Sequence, residues 1–195
     1  MKRMLRMLVM LGFAVAIALP ARAATPAATP RDSVYQLSLP ITDAQGRTQD
    51  WRRLRGKPRI VSMFYTSCQY MCPLIVESGK AVERALPAAE RAKVGVVLLS
   101  LDPAHDTPAV LRAMAVKRKV DPAKWTLAAP APDDVRKVAG LLGVRYRALG
   151  NGDFNHTSVL VLLDADGRIV ARTEQVGSTP DPAFVAAVRA QVKSE

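Results

Sequence analysis

The sequence of 195 residues has two cysteines, two histidines and 5% aromatic residues. Two cysteines leave no room for a disulfide framework, and the length exceeds that of a bridge-stapled miniprotein. No apolar run reaches the roughly 20 residues that a helical membrane span needs. No internal repeat and no nucleic-acid-binding motif are present. What the chain does have is 49% apolar residues and 23% charged residues, the balance of a folded protein with one compact core rather than of a disordered chain.

The formal charge of +11 is unevenly placed. Lys2, Arg3 and Arg6 precede the apolar run Met7 to Leu19, and Pro20-Ala21-Arg22-Ala23 supplies a small-x-small cleavage site. This is the pattern of a secretory signal spanning residues 1–23, with cleavage expected after Ala23. Thirteen apolar residues are short for a retained anchor, and no cysteine follows the run to carry a lipid. The mature chain then holds 24 basic and 17 acidic residues, a charge of +7. Its basic clusters are Arg52, Arg53, Arg55, Lys57 and Arg59, and Lys117, Arg118 and Lys119. A solvated surface accounts for them, the alternative being an anionic membrane or acidic partner. An exported chain has no call for nucleic acid, and membrane contact is expected to be peripheral at most.

Residues 24–33 are rich in Ala, Thr and Pro and read as a flexible tether; the folded domain is expected over 34–195. The pattern predicts a strand at Val34–Leu39, a turn at Asp43-Ala44-Gln45-Gly46 and a return over Arg47–Gln49. Buried strands are expected at Arg59–Tyr65 and Val94–Leu101 and a short one at Trp125–Ala128. Helices are expected over Pro73–Leu86, from Pro108 to about Arg118 behind a Thr107 cap, over Asp133–Leu142 closed by Gly143, and over Pro182–Val192. Thr157–Leu163 and Arg168–Thr173 flank the turn Asp164-Ala165-Asp166-Gly167 as a hairpin. Two βαβ passes followed by an antiparallel hairpin and a helix give an α/β, thioredoxin-like fold: a central mixed sheet flanked by helices, with an N-terminal β-hairpin.

The chemistry concentrates in Thr66-Ser67-Cys68-Gln69-Tyr70-Met71-Cys72-Pro73, between a strand and a helix. Ligands of open α/β sheets bind at that edge. Free N–H groups and the helix dipole are expected to favour thiolate there, lowering a cysteine pKa toward about 3.5 to 7.5. Four-residue spacing lets the sulfurs pair or share a metal. A structural bridge across so short a loop gains little from chain entropy, which favours a functional pair. Sulfur with imidazole suits copper or zinc. His156 lies in a Gly-rich loop before the hairpin strand, which a thioredoxin-like sheet packs beside the cysteines; His105, next to Asp106 and a helix cap, reads as a solvated loop residue.

Phe64-Tyr65-Thr66-Ser67-Cys68-x-x-x-Cys72-Pro73, then Ser100-Leu101-Asp102-Pro103-x-x-Asp106-Thr107-Pro108, then His156 before a strand and the turn Asp164-Ala165-Asp166-Gly167-Arg168 resemble the Sco/SenC family of copper-binding assembly factors, from about Tyr35 to Val192. The resemblance implies one copper ion per monomer held by Cys68, Cys72 and His156. It also implies delivery to a copper-acceptor subunit of cytochrome c oxidase, a periplasmic location and a periplasmic thioredoxin-like reductant that keeps the cysteines reduced. Many family members have proline where Gln69 stands and aspartate where Asn155 stands; a neutral neighbour to the histidine predicts weaker copper binding.

Two further classes use the same residues. A thiol-disulfide oxidoreductase would attack through Cys68 and resolve through Cys72. A peroxidase of the peroxiredoxin kind shares the fold, but Thr66 precedes Cys68 by two residues rather than three, and Ser62 occupies the place of that motif's proline.

Overall fold

The structure, a computed structural model, describes residues 28–68 and 71–193. The expected export signal and Gln69 lie outside the described residues. A seven-stranded mixed sheet is built from β1 (Pro40–Asp43), β2 (Thr48–Asp50), β3 (Arg59–Phe64), β4 (Gly95–Ser100), β5 (Trp125–Pro130), β8 (Leu160–Leu163) and β9 (Ile169–Thr173). Its order is β2-β1-β5-β4-β3-β8-β9, with β3, β4 and β5 parallel and the flanking pairs antiparallel. The fold is thioredoxin-like, as the alternation of strands and helices predicts.

The central strands read as continuous apolar runs because they are covered on both faces: every residue of β4 and β8 is buried, and in β3 only Arg59 is not. Phe64, Leu98 and Leu99 are each no more than 1% exposed, and a buried side chain of that size stabilises by about 1.5–3 kcal/mol. Ser62 enters this apolar layer because its hydroxyl donates to Val159 O at 2.7 Å. Helices α1 (Met71–Ala85), α2 (Ala88–Arg91), α3 (Pro108–Lys117), α4 (Val135–Leu142) and α5 (Pro182–Lys193) cover the sheet. In α1, Gly79 faces the Trp125 ring so closely that a Cβ would lie 2.5 Å from it. Thr107 caps α3 through Val110 N–H with Pro108 in the first turn, and Gly143 closes α4 at φ 64°, both as expected.

The structure corrects several expectations. Val34–Leu39 is not a strand: Val34–Gln36 is a 3-10 turn, and the strand begins at Pro40. Ser33 accepts the Tyr35 N–H, and Gln36 N–H bonds back to Ser33 O, so the backbone closes a turn here instead of pairing in a ladder. The N-terminal hairpin itself forms, in the register Pro40↔Asp50. α1 starts at Met71, so Pro73 is its third residue, still within the turn whose N–H groups have no helical partner. The Thr157 strand begins instead at Leu160, and a separate two-stranded sheet, β6 (Tyr146–Ala148) with β7 (Phe154–His156), precedes it. None of the helices in the described residues is long and apolar enough to cross a membrane.

Candidate metal and thiol site

Two parts of the fold meet at the carboxyl edge of the central strands. After β3 the chain turns through Tyr65 and Thr66 to Cys68, and Cys72 occupies the first turn of α1. Tyr65 N–H donates to Cys72 Sγ at 3.3 Å, and Cys72 N–H donates to Cys68 Sγ at 3.4 Å. No disulfide joins the two sulfurs; Cys72 is buried and Cys68 half-buried. Beneath them lies Asp106, 1% exposed. Its carboxylate accepts the Ser100 hydroxyl at 2.5 Å, the Thr66 N–H at 3.2 Å and the Thr66 hydroxyl. One carboxylate thus ties the segment before Cys68 to the loop after β4, at the cost of burying a charge.

His156 comes from the other sheet, at the end of β7. Tyr65 holds that hairpin in place. Its hydroxyl donates to Phe154 O and accepts from Phe154 N–H, each at 3.3 Å, and its ring packs edge-on against Phe154 and His156 at 5.1 and 5.8 Å. The hairpin also pairs Thr157 N–H with Arg145 O at 2.9 Å. The result is that the two Sγ atoms and an imidazole nitrogen all lie within 4.8 Å of one another. Metal bonds of about 2.3 Å to sulfur and about 2.0 Å to nitrogen put three donors of one ion roughly 4 Å apart, so the group needs to close by less than about 1 Å.

The protonation pattern prepares one donor and leaves another capped. His156 Nδ1 lies 3.1 Å from Thr157 O, a partner that only accepts, so the ring proton sits on Nδ1. Nε2 is then a bare lone pair, and it is buried with no hydrogen-bond partner. Burial lowers the His156 pKa, against the opposing effect of the Thr157 carbonyl, and keeps the ring neutral. Cys72 departs from expectation: loss of water pushes its thiol up, with Cys68 and Asp106 adding to the rise and the Tyr65 N–H opposing it. The helix terminus does not outweigh desolvation there, and Cys72 is a thiol until something displaces its proton. Burial likewise pushes the Tyr65 phenol up to about 12.

Of the residues singled out from sequence, Cys68, Cys72 and His156 converge. His105 does not: its side chain is 81% exposed and its Nδ1 sits 2.8 Å from Asp102. Asn155 is exposed on β7 opposite Arg147, and it is Thr157 rather than residue 155 that holds the imidazole. The weakening expected from its neutral side chain therefore has no structural basis in that contact. Tyr65, Asp106 and the Thr157 carbonyl are parts of the site that spacing alone does not reveal; Tyr65 and Asp106 stand in the quoted motifs, but their burial is the signal that sequence lacks.

Among the described residues, one cleft reaches Cys68 and a second groove reaches both cysteines. A cleft of ≈ 550 Å³ on the hairpin side is lined by Tyr65, Cys68, Met71, Phe154 and His156, with Asp153 at its wall. A groove of ≈ 230 Å³ on the α3 side has Thr66, Cys68, Cys72 and Pro73 against Lys117 and Arg118.

A thioredoxin-like domain that brings two thiols and a neutral imidazole together at a strand–helix junction is a thiol-imidazole metal or redox protein by construction. The SCO1/SenC family model matches residues 28–193, and the chain belongs to that family. It is similar to a candidate copper-binding protein of Stutzerimonas stutzeri, 30% identical over 74 residues, a match that spans 38% of this chain and 36% of that relative. Among solved structures it resembles a candidate electron transfer protein of Aquifex aeolicus at TM-score 0.70 and 27% identity, covering 86% of this chain and 93% of that one. Bradyrhizobium japonicum ScoI, solved with copper bound, shares the fold at TM-score 0.64 and 24% identity, covering 81% of this chain and 97% of that one.

Proposed function

We propose that this chain is an exported copper-binding protein of the periplasm that takes one copper ion through Cys68, Cys72 and His156. It passes the ion as cargo to an acceptor subunit of cytochrome c oxidase. The observation that carries the reading is the buried, unpartnered Nε2 of a neutral His156 beside two thiols. A buried polar atom without a partner costs free energy, and a cation bound by two thiolates supplies the partner it lacks. Family membership and the copper-bound relatives support copper over zinc as the ion. Binding displaces the thiol protons, so affinity rises with pH. Release follows by ligand exchange, with the acceptor's donors replacing those of this site. An oxidised pair cannot ligate, so a thioredoxin-like reductant is part of the same scheme.

Anaerobic titration of the reduced mature domain tests this. One equivalent of Cu(II) is expected to give a thiolate-to-copper charge-transfer band that is absent in Cys68→Ser and Cys72→Ser. His156→Ala is expected to weaken binding by at least the roughly 10–100-fold that loss of an outer partner costs. Absence of stoichiometric binding, or full affinity in His156→Ala, overturns the reading.

The second reading, a thiol-disulfide oxidoreductase, is favoured by the sulfurs' placement at the floor of an open groove. It predicts that Cys68→Ser abolishes activity on a model disulfide; unchanged activity would rule it out.

A further inference from the structure

The two openings onto the cysteine pair differ in what lines them. Both contact Cys68, but the hairpin cleft has His156 and Asp153 at its wall, whereas the α3 groove reaches Cys72 as well and meets Lys117 and Arg118. Those two side chains have no carboxylate partner among the described residues, so the groove that holds the sulfurs is also lined by two uncompensated cations. Its volume of ≈ 230 Å³ is below the roughly 300 Å³ at which ligand pockets begin. It takes a side chain and its neighbours rather than a whole ligand.

From this we propose that the α3 groove is the docking site for the cysteine-bearing segment of an acidic protein thiol that reduces the Cys68–Cys72 disulfide. The proposal rests on the reading of the pair as a redox-competent ligand set and adds where the reductant docks and what charge it carries. The partner thiolate attacks Cys68 Sγ, the half-exposed sulfur. The Cys68–Cys72 bond breaks, and Cys72 leaves with the electron pair and takes up a proton. A second thiolate of the partner then attacks the partner's sulfur in the mixed disulfide, releasing Cys68 as a thiolate and leaving the partner oxidised. Carboxylates flanking the attacking cysteine meet Lys117 and Arg118, which raises the encounter rate in a salt-sensitive way. The reductant thus approaches through a groove that His156 does not line, and His156 need not move for the disulfide to be reduced.

The test is stopped-flow reduction of the metal-free, oxidised mature domain by two synthetic peptides, Asp-Cys-Asp and Lys-Cys-Lys. The ratio of their second-order rate constants is compared between proteins, so that intrinsic peptide reactivity cancels. The wild-type ratio is expected to fall at least tenfold in Lys117→Glu/Arg118→Glu and by an intermediate amount in Lys117→Gln/Arg118→Gln. It is expected to change less than twofold in Arg31→Glu/Arg53→Glu, which carries the same net charge change at two exposed positions outside the groove. Raising the salt from about 0.05 to about 0.5 M should slow the acidic peptide on wild type, speed it on the double reversal and leave the double Gln variant nearly unaffected. An unchanged ratio, or an equal fall in the remote control, overturns the proposal. Copper titration of the same variants is expected to match wild type, so failure of copper binding and failure of the docking site are read separately.

Discussion

The cysteine side and the histidine side of the site are held by different means. Cys68 and Cys72 hang from the central sheet, after the buried strand β3 and in the first turn of α1, with Asp106 bonded to Thr66 and Ser100 beside them. His156 sits on a two-stranded sheet that shares no ladder with the main one and is attached through the Tyr65 hydroxyl, aromatic edges and turn hydrogen bonds. The sulfurs are therefore placed by the core, and the imidazole by a few local contacts. Elements with few buried contacts open at lower free energy than the global fold. A ligand set divided in this way can hold two donors fixed while the third engages or lets go.

The strongest way to break the comparison is to weaken the cysteine side. Asp106→Ala leaves the Thr66 N–H and hydroxyl and the Ser100 hydroxyl without their acceptor. Each stranded group costs about 1–3 kcal/mol, partly offset by relief of the buried charge. Urea unfolding is expected to show a loss of about 3 kcal/mol for the whole domain. A loss below about 0.5 kcal/mol, the range of ordinary surface changes, would mean that Asp106 is not a framework residue.

On the histidine side, Tyr65→Phe removes the hydroxyl and keeps the ring. The expected outcome is faster amide exchange confined to the hairpin, and copper affinity lower by roughly 10-fold. Global stability should fall by only about 1 kcal/mol, the worth of a hydrogen bond. Equal loss of protection in β4 and β7 would erase the distinction between the two sides.

A pH series sharpens the role of the buried carboxylate. Burial raises the Asp106 pKa above its ordinary value, against the hydrogen bonds from Ser100 and Thr66. A raised acid pKa contributes stability below the unfolded value, and that contribution is lost as pH rises through the folded value. The stability of wild type relative to Asp106→Asn is therefore expected to decline from pH 4 to pH 7 in urea titrations. A rising difference would reverse the assignment.

The smallest effect belongs to Asn155→Asp. Asn155 lines the cleft, but its side chain is exposed and the imidazole is held by Thr157 O, so copper affinity is expected to change less than about threefold, short of the roughly 10–100-fold that losing a ligand's hydrogen-bond partner costs. A tenfold gain in calorimetric or competition titrations would return residue 155 to the site.

The parts legible in the sequence were those with strong local patterns. RIVSMF and GVVLLS could only be buried strands, Thr107-Pro108 a helix start, and the cysteine spacing a paired site. The hairpin that carries His156 was read as a loop because its strands are three residues each, too short for alternation to register, although Asn151-Gly152 marks its turn. Val34–Leu39 alternated like a strand because sequence pattern does not show Ser33 capping Tyr35 N–H. The rise in the Cys72 pKa is illegible for a similar reason: the helix terminus is visible in sequence, whereas the depth of burial beside Asp106 depends on segments far apart in the chain.

At the far end of the molecule, Ser33 donates to Asp166 O and Val34 N–H to Gly167 O, while Arg55 reaches both Asp166 and the Ala28 carbonyl. Gly167 has no room for a Cβ beneath Tyr35. This knot lies where β8 meets the start of β3, across the length of the sheet from Cys68. Ala28, the first described residue, stands at that pole. Seen from that pole, the sulfurs and the imidazole are at the opposite tip of the sheet.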